Sequence, residues 1–319
     1  MKQFYYGGQA VIEGVLIRGR HTASLAVRRS DGLIWTGYLP LTSLYDSKLR
    51  QFPVVRGVIV LLETLFLGIQ ALHRSAEISM ISPEKLNSDS QELPQGEKMN
   101  RGAIVGSMIV SLGLGVGIFL LLPLFGARSL DSVIEHSVVT NFIEGAIRFA
   151  LLIGYIWGIG HMEEIRRVFA YHGAEHMTIH AYEHGVPLEV DNIANFPKAH
   201  SRCGTAFLLT VVVVSIFVFT ILGRPEMMVA IASRILLIPV IAGISYEFLR
   251  FTAAYNQHLF GRIAAMPGLA LQSLTTRYPD HEQIEVAIAA LRHALHGDSV
   301  ENDNDDSLQS FPSKEANSG

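Results

Sequence analysis

Residues 103–125 read AIVGSMIVSLGLGVGIFLLLPLF, a run without one charged side chain. A helix rises about 1.5 Å per residue, so the run reaches across the roughly 30 Å hydrocarbon core of a bilayer. Working outward, residues 205–223, TAFLLTVVVVSIFVFTILG, form a second uncharged run. Residues 227–248 follow the break GRPE as a third, interrupted by Arg234 and Pro239, and the two read together as a helical hairpin. Residues 142–160, FIEGAIRFALLIGYIWGIG, are a weaker fourth span, in which Glu144 and Arg148 sit one helical turn apart and can pair near the membrane boundary.

Composition agrees with this reading. The 319-residue chain is 49% hydrophobic and 17% charged, whereas soluble domains are charged at about a quarter of their positions. The net charge of -4 conceals an acidic end: residues 298–319 hold six acids, beginning with Asp298, against Lys314, so this tail is -5 and the remainder +1. That balance carries no nucleic-acid footprint. The single cysteine, Cys203, excludes an intramolecular disulfide framework and suits a reducing cytosol or a metal ligand. The opening MKQFYYGGQAVIEG lacks the charged-then-apolar layout of a cleaved signal peptide, so insertion is expected to use an internal span.

With four spans, the first 101 residues carry twelve Lys or Arg, the 126–141 loop only Arg128, and the 161–204 loop four. The positive-inside rule then puts both termini and the 161–204 loop in the cytoplasm. The expected fold is mainly α, a polytopic helical membrane protein with a small N-terminal cytosolic β-containing portion. Within residues 1–80, SLAVRR and LIWTGY flank an Asp-Gly turn signal, a strand-turn-strand pattern. Residues 54–72 are apolar, but Arg56 and Glu63 interrupt them and favour an interfacial or partly buried helix over a span. Residues 81–101 read as a linker, 102–250 as the membrane region, 251–297 as a cytosolic helical segment and 298–319 as a disordered acidic tail.

The cytosolic loop contains YHGAEHMTIHAYEHG at 171–185. Its pattern is helical from about 163 to 184, with Gly185 as a C-terminal stop and Pro187 beyond. At 100° per residue, His172, His176 and Glu183 share one stripe and Glu175 lies on its flank. His172-Gly-Ala-Glu175-His176 is H-x-x-E-H, the inverted zincin order: two imidazoles one turn apart as metal ligands, with Glu175 as the candidate general base. The competing reading is a polar helix whose histidines make ordinary hydrogen bonds. His200-Ser-Arg-Cys203 adds two further zinc-type ligands in the same loop. The expected metal set is His172, His176, His200 and Cys203, with a zinc-like divalent ion as cofactor. Three protein ligands and a water would make the site catalytic, four would make it structural. His180 and Glu183 are alternates, and His161 and His184 are boundary or surface residues.

Several motifs in order, GGQAVIEGVLIRG at 7–19, IRRVFAYHGAEHMTIHAYEHG at 165–185, HSRCGTAFLL at 200–209, PVIAGISYEFLR at 239–250 and PGLALQSLTTRYPDHEQIEVAIAAL at 267–291, resemble the YqhQ family of bacterial membrane proteins. The likeness covers residues 5 to about 295. It implies an inner-membrane location and a metal, since the family has carried the label of predicted metal-dependent enzyme, but names no reaction. His172, Glu175 and His176 match its YHGAEH core, and His200 and Cys203 its H-x-R-C-G-T element. Met177 stands where Lys is usual, Ser201 where Pro is and Ala206 where Ser is; none is a proposed ligand. The likeness also singles out Gly7, Gly8, Glu13, Gly14 and Arg18. Glu13 is a metal or proton-transfer partner on one reading and half of a structural ion pair with Arg18 on the other. Glu247 is likewise divided between helix-end anchoring and a site role.

Two functions follow from different classes: a membrane-bound metal-dependent hydrolase acting at the cytosolic face, or a non-catalytic scaffold or assembly factor with a structural metal. Transport ranks last, because only Arg234 and Pro239 mark mid-membrane irregularity and no internal repeat is visible. The bilayer is the expected partner, with a protein partner on the scaffold reading. GGQAVIEG lacks the Lys-Ser/Thr of a P-loop and the chain has no G-x-S-x-G elbow, so neither nucleotide use nor serine hydrolysis is supported.

Overall fold

The computed structural model describes residues 5–41, 48–81, 101–134, 136–200, 202–255 and 258–309. The expected linker therefore falls almost wholly outside the described residues. The fold is mainly helical with one small antiparallel sheet.

The sheet is a meander of β1 (Gly7–Val11), β2 (Gly14–Arg18), β3 (Ala23–Arg28) and β4 (Ile34–Tyr38), paired in chain order. The Asp-Gly signal forms the β3–β4 turn, with Gly32 at φ 86, a backbone region that only glycine enters at no steric cost. Strand side chains alternate between faces, and here both faces are covered. Leu16, Leu25 and Val27 pack with Ala71 and Ile78 of α1 (Val55–Met80). Val15, Ile17 and Ala26 pack with Tyr171, Ala174 and Met177 of α5 (Glu163–Glu183) and with Ile284, Ala287 and Leu291 of α11 (His281–Gln309). The N-terminal sheet, the central α5 and the C-terminal α11 thus share one core.

α2 (Arg101–Val116), a π-helical turn at Gly117–Leu121 and α3 (Leu122–Arg128) follow α1, then α4 (Ser137–Ile159). Beyond α5 come a short α6 (Val190–Ile193), α7 (Thr205–Leu222), α8 (Met227–Leu236), α9 (Ile238–Ala254) and α10 (Leu259–Thr275). Val55–Met80, Ile109–Arg128, Ser137–Ile159 and Thr205–Leu222 are each long and apolar enough to cross a membrane, and α8 with α9 makes a fifth such stretch bent by 47°. The bend falls at Pro239, whose ring cannot continue a helix without a break. The segment expected to be interfacial thus forms a longer helix that meets the test for a span. Its two interrupting charges are partnered, Glu63 with Arg50 at 3.5 Å and Arg56 with Glu247, whose Oε1 accepts from Nε at 2.6 Å. Glu247 is therefore an anchor joining α9 to α1.

Within the bundle, Leu152 and Ile156 of α4, Val212 of α7 and Leu271 of α10 pack together. At the Gly145 position of α4 an added Cβ would lie 2.3 Å from the Ile216 side chain, so glycine is what lets α4 and α7 approach. Glu144 and Arg148 pair as their spacing predicts, at 2.9 Å, and Arg234 of α8 joins them at 2.8 Å. All three are buried. Arg148 also donates to the carbonyl of Phe119 at 2.9 Å, in the π-helical turn, where wider winding departs from the α-helical pairing.

The C-terminal end differs from expectation. Asp298, assigned above to a disordered tail, is buried on α11, which continues to Gln309. It accepts bonds from the backbone N–H groups of Arg20 and His21 at 2.7 and 2.9 Å and from the hydroxyls of Tyr6 and Thr22 at 2.9 and 3.1 Å. A carboxylate count sees charge but not such a donor cradle. Residues 310–319 lie outside the described residues.

Candidate metal centre

The α5 periodicity puts His172 and His176 on one face, their ring centroids 4.4 Å apart. The helix ends in a Schellman arrangement, with Gly185 N–H donating to Tyr182 O and Val186 N–H to Ala181 O, both at 3.0 Å, and Gly185 at φ 67. That reversal turns the chain back so that Lys198, Ala199 and Cys203 meet the histidine face. Gln272 of α10 holds the returning chain, accepting from His200 N–H at 2.8 Å and donating to His200 O at 2.9 Å.

Backbone carbonyls orient both imidazoles. His172 Nδ1 lies 2.9 Å from Thr275 O, and His176 Nδ1 lies 2.7 Å from Lys198 O. A carbonyl can only accept, so each Nδ1 carries a hydrogen, and neutral rings present bare Nε2 lone pairs. This is the outer-shell wiring that fixes metal-ligating histidines. Cys203 Sγ lies 3.2 Å from His172 Nε2 and receives the Thr205 N–H at 3.4 Å, at the positive end of α7. Ligand atoms of His172, His176 and Cys203 all lie within 4.8 Å of one another. A tetrahedral zinc set needs separations of about 3.5 Å, so rotamer-scale closure completes the triangle.

Glu175 and His176 supply a second test of fit. Glu175 Oε2 is 3.5 Å from His176 Nε2, and both residues are buried. A buried carboxylate facing an imidazole lone pair is disfavoured unless a proton, or a cation bound close by, offsets the repulsion. The donor set and this pairing both suit a divalent cation.

His200, expected in the same set, is turned differently. Its Nδ1 accepts the Arg202 N–H at 3.3 Å and its Nε2 faces Glu183 Oε2 at 3.4 Å, so neither nitrogen is aimed at the other three. Burial holds its imidazole below the ordinary histidine range. Glu183 is engaged by Arg202 as well. His180 donates to Ala199 O at 2.8 Å, and burial pushes it down to about 4. His161 and His184 accept the surface role, their Nδ1 atoms 2.8 and 2.7 Å from the carbonyls of Trp157 and His180.

Glu13 is an ion-pair residue, but its partner is Arg167, at 2.6 and 2.5 Å, with Tyr171 Oη at 3.2 Å. Arg18 instead donates to the carbonyls of Gly19 and Thr22 at 3.1 and 3.3 Å. Gly8 of β1 faces the centre: an added Cβ would lie 3.0 Å from Glu175 Cγ and 2.3 Å from Leu16 O. Sequence reasoning passed over Gln272, Thr275 and Lys198. The last two act through backbone carbonyls, which no side-chain motif encodes, whereas a glutamine within an apolar helix was a readable signal.

Glu175, His172, His176 and Cys203 line a cavity of about 470 Å³ together with Tyr155, Ile159, Val168, Phe169 and Leu208. A second cavity of about 510 Å³ adjoins it through Gly7, Gly8, Gln9, Thr64, Arg202 and Gly204, which line both.

No solved structure matches the chain. The uncharacterized protein YqhQ of Bacillus subtilis (strain 168) is 34% identical over 309 residues, covering 94% of this chain and 95% of that protein. The protein of unknown function family DUF1385 matches residues 52–297, and on both counts the chain belongs to that family.

Proposed function

We propose that the chain is a multi-pass membrane protein with a divalent-metal centre at the cytosolic face, acting as a metal-dependent hydrolase. The shared core supports the topology. Because the sheet, α5 and α11 pack as one unit, they lie on one side of any membrane the chain crosses, and an even number of crossings must separate them. Between sheet and α5 stand α1, the α2–α3 stretch and α4. Two crossings there make α1 the non-crossing helix, consistent with the sheet packed on Ala71 and Ile78. Between α5 and α11, α7 and the bent α8–α9 pair supply two more, with the 17-residue α10 not crossing. The larger number of Lys and Arg in the first 101 residues and in the 161–204 loop than in the intervening loop supports the cytosolic side.

The observation that carries the hydrolase reading is the buried Glu175 beside an incomplete ligand triangle. His172, His176 and Cys203 would hold the ion, and a bound divalent ion supplies Lewis acidity and a water of lowered pKa. Glu175 takes the proton from the attacking water and returns it to the leaving group. With His200 turned to Glu183, only three protein residues would hold the ion, which favours this reading over a closed structural site.

The test is hydrolysis of an ester and phosphoester panel by purified, zinc-loaded protein. Glu175→Gln should keep its metal and lose about 10²-fold or more in rate, while His176→Ala loses both. Full activity in Glu175→Gln would end the reading.

A further inference from the structure

We propose that the two adjoining cavities hold a membrane amphiphile with a phosphate head, its chain between the cytosolic ends of α4 and α7. This rests on the hydrolase reading only in making the amphiphile's phosphoester the reacting bond.

Besides the ligand cluster, the first cavity is lined by Tyr155, Ile156 and Ile159 at the end of α4 and by Leu208 in the first turns of α7, all apolar or aromatic. Both helices are long and apolar enough to cross a membrane, and they end at the metal centre. A chain entering between these ends stays in an apolar environment until its head meets the ligand cluster. At about 470 Å³ the space falls within the usual range of small-molecule sites, roughly 300–1,000 Å³.

Guanidiniums suit the head. Arg202, which also meets Glu183, lines both cavities, and the second adds Arg18 and Arg50, the latter facing Glu63 at 3.5 Å. Guanidiniums are the side chains best matched to phosphate. Gly7, Gly8 and Gly204 line both cavities; a Cβ at Gly7 or Gly204 meets nothing within 4 Å, so the junction is open there, whereas Gly8 lies close against Glu175. In the reaction, a water oxygen attacks phosphorus and the ester P–O bond breaks. The water's proton passes to Glu175 and then to the departing oxygen, so atoms and charge balance.

Gly7 provides the probe. It lines both cavities, and a Cβ there meets nothing within 4 Å, so Gly7→Leu is the substitution to narrow the junction. Leu208→Trp narrows the first cavity and serves if Gly7→Leu fails to fold. Binding of short-chain phosphatidic acid, inorganic phosphate and monoacylglycerol to the full chain in detergent is measured by native mass spectrometry, with metal content alongside.

Phosphatidic acid should bind roughly tenfold or more tighter than either other probe. Either variant should weaken it about as much without loss of metal. Inorganic phosphate binding equally well would mean a site for the free anion, and equal monoacylglycerol binding would mean a greasy pocket without head selection; each overturns the proposal, as does unchanged binding in both folded variants. Protein that takes up no metal even on zinc loading yet still shows the preference, and loses it in Gly7→Leu, supports the amphiphile and sinks the hydrolase reading instead.

Discussion

A Cβ added at Gly173 would lie 2.1 Å from the carbonyl oxygen of Arg277. The glycine inside the H-x-x-E-H motif is thus what allows α5 to touch the chain leaving α10, where Arg277 N–H also bonds Phe169 O at 2.8 Å. Thr275, two residues before this contact, orients His172.

Gly173→Ala should therefore disturb the candidate metal site as well as the packing. Pushing Arg277 away costs about 1–3 kcal/mol of overpacking and draws Thr275 O off His172 Nδ1. The expected result is a lower melting temperature in detergent together with weakened zinc retention on dialysis. A variant that melts lower but holds zinc as the wild type does would disconnect the two.

The Glu144–Arg148–Arg234 cluster yields an opposite pair of expectations. Glu144→Gln leaves two buried guanidiniums without a counter-charge, and removing one partner of a buried ion pair costs about 3–5 kcal/mol. Replacing all three residues by Leu removes the desolvation cost along with the pairing and should recover most of that loss. Thermal unfolding of both variants, measured in the same detergent, decides; equal stability of Glu144→Gln and wild type would show the cluster to be dispensable.

Much of this architecture was legible because lipid and helix geometry act locally. Uncharged runs marked 103–125 and 205–223, the 3.6-residue period paired His172 with His176, and Gly185 marked the end of α5. What stayed hidden was long-range. Nothing local tells that Arg234 completes the Glu144–Arg148 pair, that Arg167 and not Arg18 meets Glu13, or that Asp298 folds back on residues 20–22. His200 looked like Cys203 as a ligand type, yet its Gln272 clamp fixes the backbone so that the ring faces Glu183. Ring direction is a rotamer property set by tertiary neighbours, which ligand spacing does not encode.

The docking of α11 on the sheet should weaken in acid in two steps. Burial, with His296 nearby, holds His293 below the ordinary histidine value; it faces Ser24 Oγ at 2.9 Å and stacks on Tyr38 at 4.0 Å. The unfolded chain binds the proton first, so this stabilisation is complete above about pH 6.5 and declines as pH falls below it. For Asp298, burial alone raises the carboxyl, but the His21 and Arg20 N–H groups and the Tyr6 and Thr22 hydroxyls outweigh it and hold it below the usual range. Its contribution persists above about pH 4 and is lost below. Hydrogen exchange of α11 followed against pH should show both steps, and His293→Gln should remove the upper one; an upper step that survives the substitution belongs to another group.

Metal content per chain, by inductively coupled plasma mass spectrometry on detergent-purified protein, decides whether His172, His176 and Cys203 hold an ion. One zinc-like ion is expected in the wild type, lost in His172→Ala, His176→Ala and Cys203→Ala and retained in His200→Ala. Loss in His200→Ala with retention in Cys203→Ala, or a wild type that binds no divalent ion even after reconstitution, would contradict that expectation.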